Sequence, residues 1–139
     1  MKRLGIIGLL LAIAICAAAV GTVTRTEDVA SPVKKITWYW TSDTNGEAID
    51  MTSGFYSGKV LGVASIPSSA SAPAATHDIY IYDAERIDLM RGWAANMSST
   101  ATAYIDCATQ LGTVANDRLI LHVTNAGEIK AGTVSIWIR

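Results

Sequence analysis

Chemically reactive side chains are scarce in this chain of 139 residues, which holds two cysteines and two histidines. One cysteine, Cys16, sits inside an apolar N-terminal run, so no disulfide framework can be drawn. Cys107 stands in Tyr104-Ile105-Asp106-Cys107-Ala108 without a histidine or cationic neighbour, so it reads as a small buried hydrophobe and not a nucleophile. The histidines, His77 and His122, lie far apart in sequence, whereas a metal site wants clustered His, Cys or carboxylate ligands, so no metal or other cofactor is expected. Charge is also sparse. Charged residues make up 17% of the chain and the formal net charge is −1, which excludes the basic surface that a nucleic-acid partner requires. Lys34-Lys35 is too small to count as a patch. No Gly-x-Ser-x-Gly elbow, phosphate-binding glycine loop, zinc-protease motif or internal repeat is present. The chain is therefore expected not to be an enzyme, and no catalytic residue is assigned.

What is present is apolar. Half of the residues are hydrophobic, enough for one domain with a real core. Met1-Lys2-Arg3 is a positive start, residues 4–15 are apolar or glycine, and Ala17-Ala18-Ala19 supplies small residues beyond them. That is the pattern of a secretory signal, and the run is short for a membrane span, which needs about 20 apolar residues. Residues 1–20 are thus expected to be a signal-like or anchoring apolar helical segment outside the domain, with a misassigned start as the remaining reading. Residues 21–32 form a polar stretch ending at Pro32, suited to a flexible arm or a first edge strand.

From Val33 the period changes to two, and residues 33–139 read as the domain. In Lys35-Ile36-Thr37-Trp38-Tyr39-Trp40-Thr41 the side chains of Ile36, Trp38 and Trp40 share one face. Ser42-Asp43-Thr44-Asn45-Gly46 carries the Asn-Gly signal of a hairpin. The next strand spans 55–66, with a bend at Gly58 or Gly62. A Pro/Ser/Ala-rich loop covers 67–75, a strand covers 77–82, and 83–97 reads as a short helix or turn. Residues 104–108, 119–124 and 133–138 complete the strands, the last two joined by the two-glycine loop 125–132 as a hairpin. About seven strands with turn chemistry between them predict an all-β domain, a β-sandwich or small β-barrel.

Two acidic groupings invite a calcium reading. Asp83-Ala84-Glu85-Arg86-Ile87-Asp88 lacks a glycine where such a loop turns sharply, and Asp43-Thr44-Asn45-Gly46-Glu47 lacks the remaining ligands. Both read as turns. The aromatic groups Trp38-Tyr39-Trp40 and Tyr80/Tyr82 are the candidate interaction surface, since flat rings stack on sugars. Both groups alternate within strands, however, so at least one member of each is expected in the core.

The succession Val33-Lys34-Lys35-Ile36-Thr37-Trp38-Tyr39-Trp40-Thr41-Ser42-Asp43, followed by Gly46, resembles the opening of a group of small proteins from tailed bacteriophages and prophages. The closing residues 119–139, with Val123-Thr124-Asn125-Ala126-Gly127, Lys130 and Gly132-Thr133-Val134, look like that group's end. Asp78-Ile79-Tyr80-Ile81-Tyr82-Asp83 and Ile87-Asp88-Leu89-Met90 are similar to its middle segment, with Arg86 where glycine is usual. The resemblance covers roughly residues 23–139, and the apolar segment 1–20 departs from it. It implies a non-enzymatic structural protein of a phage particle: a head decoration, neck or tail component. Its partners would be itself and other virion proteins, as a homo-oligomer in the virion. The alternative expectation is a secreted or envelope-anchored β-sandwich module that binds a glycan or peptide. In either case membrane contact is expected only through residues 1–20, if they are uncleaved.

Overall fold

Alternation of apolar and polar residues lets a pleated strand bury one face and leave the other to water. The computed structural model describes residues 21–107 and 114–139, which fold into nine strands in two antiparallel sheets. Strands β1 (Thr22–Asp28), β2 (Lys34–Thr41), β9 (Ala131–Ile138) and β4 (Tyr56–Pro67) lie side by side in the larger sheet, and β6 (Ala103–Asp106) and β7 (Val114–Asp117) both pair with β4. The smaller sheet has the order β3 (Ala48–Met51), β8 (Ile120–Thr124), β5 (Asp78–Tyr82). One buried cluster joins Ile36, Trp38 and Trp40 of β2 and Val134, Ile136 and Ile138 of β9 with Ile79 and Ile81 of β5 and Leu121 and Val123 of β8. The expected signal-like or anchoring segment 1–20, with Cys16, lies outside the described residues, as does Ala108.

Several local expectations change. Nine strands replace about seven, because β3 and β7 have only four residues each, too few to show a period. Of the two readings of residues 21–32, the edge strand is the one found: β1 pairs with β2 along its whole length, from Thr22↔Thr41 to Asp28↔Lys35. No helix forms among the described residues, and 83–97 is a series of turns. Its carbonyls and amides instead cap the open edge of β5, with Ile79 N donating to Ala94 O at 2.9 Å and Leu89 N to Ile81 O at 2.8 Å. The bend in the 55–66 strand falls at Gly62, where the pairing of β4 with β9 shifts register and the Tyr104 phenol lies over the missing side chain.

Neither expected hairpin forms. Gly46 N donates to Asp43 O at 3.2 Å, so Asn45 and Gly46 are the third and fourth residues of their turn and not its two central ones. That is the type I pattern, with Asp first and Gly last, and it carries the chain from β2 in one sheet to β3 in the other. The loop 125–130 likewise carries β8 across to β9. The two crossings pack together: Ser42 N donates to Lys130 O at 2.7 Å, Ser42 Oγ to Gly127 O at 2.6 Å, and Ala126 N to Gly46 O at 3.0 Å.

Along β1, β2 and β3 the sheets are also tied by polar groups. Asp50 on β3 accepts hydrogen bonds from the Arg25 guanidinium of β1 and, at 3.0 Å, from Nε1 of the buried Trp38. Arg25 also donates to Met51 O at 2.8 Å and pairs with Glu27, whose other oxygen receives the Tyr56 hydroxyl. Burial, followed by the Glu27 contact, pushes the Tyr56 phenol well above its usual range and keeps it a donor. Replacing Asp50 by Ala strands both the guanidinium and the indole N–H. The expected loss is about 1–3 kcal/mol of unfolding free energy by urea titration, whereas Thr26→Ala on exposed β1 should change it by no more than about 0.5 kcal/mol.

Candidate functional site

The smaller sheet turns an unusual face outward. Strand alternation sends Ala48 and Asp50, Leu121 and Val123, and Ile79 and Ile81 inward, so Ile49, Met51, Ile120, His122, Tyr80 and Tyr82 are left on the outer side. Register then aligns them: Ile49, His122 and Tyr80 form one row across the three strands, and Met51, Ile120 and Tyr82 form the next. Ile49 is 56% and Met51 50% exposed. A solvated face of an antiparallel sheet is ordinarily polar, so this one breaks the rule.

The rings on it are ordered. Tyr80 and Tyr82 lie 5.5 Å apart and nearly parallel, and His122 stands against both at 6.4 and 6.3 Å. The His122 Nε2 atom is shielded and has no hydrogen-bond partner among the described residues. Burial, with Asp88 next, raises the Tyr82 phenol, which stays protonated. Arg86 closes one end of a cleft lined by Ile49, Tyr82, Ile120 and His122, of about 70 Å³. That is well below the roughly 300–1,000 Å³ of small-molecule sites. A cleft of this size does not enclose a small molecule. Arg86 itself adopts a φ of 61°, in the left-handed region that favours glycine.

The five aromatic residues singled out in the sequence do not form one surface. Trp38 and Trp40 are core residues, 0% and 2% exposed, and are withdrawn as interaction residues. Tyr39, 50% exposed, lies on the outer face of the larger sheet. Tyr80 and Tyr82 both face outward on the smaller one, because residues two apart in a strand share a face, so the expectation that one of them enters the core is corrected. Ile49, Met51, Ile120 and His122 were not identified from sequence as partners of the tyrosines. The alternation of 120–124 was a usable signal, but the four-residue β3 gave none.

The titratable groups serve the backbone. Asp43 Oδ1 accepts from Asn45 N and Glu47 N at 2.8 and 2.9 Å, and these amides, the Glu47 one foremost, lower its carboxyl. Asp83 Oδ1 accepts from Ile87 N at 2.8 Å, and Asp88 accepts from Met90 N and Gly92 N at 2.9 and 2.7 Å. Carboxylates committed to amides in this way cap turns and leave few oxygens for a cation. No group of three or more His, Cys, Asp or Glu side chains converges to hold a metal among the described residues. Cys107 is buried, and burial followed by Asp106 raises its thiol. Comparison with protein-family models, with curated proteins and with solved structures finds no match to this chain.

His77 is a core group. It is fully buried, its Nδ1–H donates to Ala74 O at 2.8 Å, and its ring lies 6.1 Å from that of Trp40. Burial lowers its pKa below the ordinary 6.5, with the Ala74 bond and Asp78 opposing that shift only in part. Below pH 6.5 the unfolded chain takes up the proton before the folded one does, so stability is full above that pH and declines as the pH falls through the His77 pKa. Urea titrations between pH 5 and 7.5 should show this decline, and His77→Gln should flatten it.

Proposed function

We propose that this chain is a non-enzymatic structural subunit that assembles through copies of itself, in the class of phage head-decoration, neck or tail components. The observation that carries the reading is the outer face of the smaller sheet, where aliphatic and aromatic residues hold the positions that a solvated sheet gives to polar ones. Exposed contiguous apolar patches of this kind mark association sites. A two-fold axis along β8 would set the β5 tyrosine ridge of one copy over the Ile49 and Met51 flank of the next, which is the self-complementarity that a closed dimer requires. The resemblance to small phage proteins supplies the particle context. In architecture the domain is a β-sandwich whose two sheets divide the work, one facing its own copy and the other left open.

A second reading, a secreted or envelope-anchored module that holds a glycan, is favoured by the near-parallel Tyr80 and Tyr82 rings. N-terminal sequencing of the expressed protein separates the two: a mature end near Val20 together with export supports the second.

Sedimentation equilibrium of the full-length chain should show reversible self-association. Ile49→Asp should weaken it by about tenfold or more, as expected where a charge enters an apolar contact, and Thr26→Asp on the other sheet should leave it unchanged. A chain that stays monomeric at every concentration and is missing from particles by mass spectrometry would overturn the proposal.

A further inference from the structure

The outer face of the larger sheet has a different chemistry. Thr24 of β1, Tyr39 of β2, Thr133 of β9 and Ile66 of β4 are register partners and form one row across four strands. Strand spacing makes that row roughly 14 Å long. Thr22, Thr41 and Ala131 form the next row, and the methyl of Ala131 leaves depth there. Segment 68–71 stands beside it as a wall held by three hydrogen bonds: Ser68 N to Ala131 O at 3.1 Å, Ala131 N to Ser71 O at 2.9 Å and Ser71 Oγ to Ile129 O at 2.9 Å. The two rows, with Ser68 and Ser69 of the wall, border an open groove of about 570 Å³, inside the range that small-molecule sites occupy.

The lining sets the class of ligand. Among the described residues no charged side chain borders the groove; threonine and serine hydroxyls do, beside the ring of Tyr39 and the side chain of Ile66, which are 50% and 44% exposed. A hydroxyl can both donate and accept, so these residues match a ligand whose own groups do both. A half-exposed tyrosine ring offers the apolar plane on which the C–H face of a pyranose rests. We propose that this groove binds a neutral oligosaccharide. A charged ligand would find no counter-charge here, and burying it unpaired is costly. A peptide recognised by strand addition needs a free strand edge, whereas three of the four strands at the groove, β2, β9 and β4, are paired on both sides. The length of the row suits several linked rings better than one. The groove is on the sheet opposite the Ile49–Tyr82 face, so this inference does not depend on self-association.

Affinity electrophoresis of the full-length chain in native gels containing dextran, laminarin or galactomannan, with heparin as the anionic control, tests it. At least one neutral polysaccharide should retard the protein, and heparin should not. Tyr39→Ala should weaken retardation by about tenfold or more, Tyr39→Phe should keep most of it, and the near-isosteric Thr133→Val should weaken it by about three- to tenfold. Tyr82→Ala should leave it unchanged, and sedimentation of Tyr39→Ala should match the unmodified chain, which separates this site from the association face. Absence of retardation by every neutral polysaccharide would overturn the proposal. So would retardation that survives both Tyr39→Ala and Thr133→Val, or that Tyr82→Ala removes.

Discussion

Trp38 brings a large apolar ring and one N–H into the same buried place, and the molecule is arranged to satisfy both. The ring lies in the core shared by the two sheets, while Nε1 reaches the Asp50 carboxylate on β3 of the smaller sheet. The same carboxylate holds Arg25 of β1. One side chain of the smaller sheet therefore fixes two neighbouring strands of the larger one and sets where the sheets meet along these strands. At the strand ends, the paired crossings around Ser42 and Gly127 supply a second tie between the sheets. With the sheets held by these ties, alternation determines which side chains point outward.

This division explains what could be read from sequence and what could not. Alternation in residues 35–41, 77–82 and 119–124 located strands and grouped Ile36, Trp38 and Trp40 on one face, and the fold shows that this face is the buried one. Alternation says which face of a strand is buried. It does not say which sheet the strand joins. Asn45-Gly46 and the glycine-containing loop after Thr124 were therefore readable as turns, but the local residues are the same whether a turn returns to its own sheet or crosses to the other. The Ser42 bonds fix the crossing, and they depend on partners up to 88 residues away in the chain. β1 was legible only as one of two options, because its burial rests on Arg25 and Val23 and its other residues are exposed. The candidate site was half legible: Tyr80 and Tyr82 were identified, but the face they belong to needed β3.

The functional reading follows from contrast between surfaces. In the described part, Asp43, Asp83 and Asp88 cap turns, Arg25, Asp50 and Glu27 tie β1 to its neighbours, and His77 and Cys107 are buried singly. What remains chemically distinctive is two sheet faces. One carries Ile49, Met51, Ile120 and the Tyr80–His122–Tyr82 cluster, and the other carries threonine hydroxyls around Tyr39. Under the proposed function, an assembling subunit would use the first to meet its copies and leave the second available. If both proposals hold, a particle surface would carry a repeated neutral-saccharide contact, where weak single sites gain by multiplicity.

The central claim is that copies of the chain meet through the smaller sheet. Its most direct test is methyl NMR of the full-length chain with a soluble paramagnetic probe, recorded at low and high protein concentration. The account predicts that the methyls of Ile49, Met51 and Ile120 become shielded as concentration rises, while those of Thr24 and Thr133 stay accessible. Equal accessibility of all five at every concentration, or shielding confined to the threonines, would contradict it.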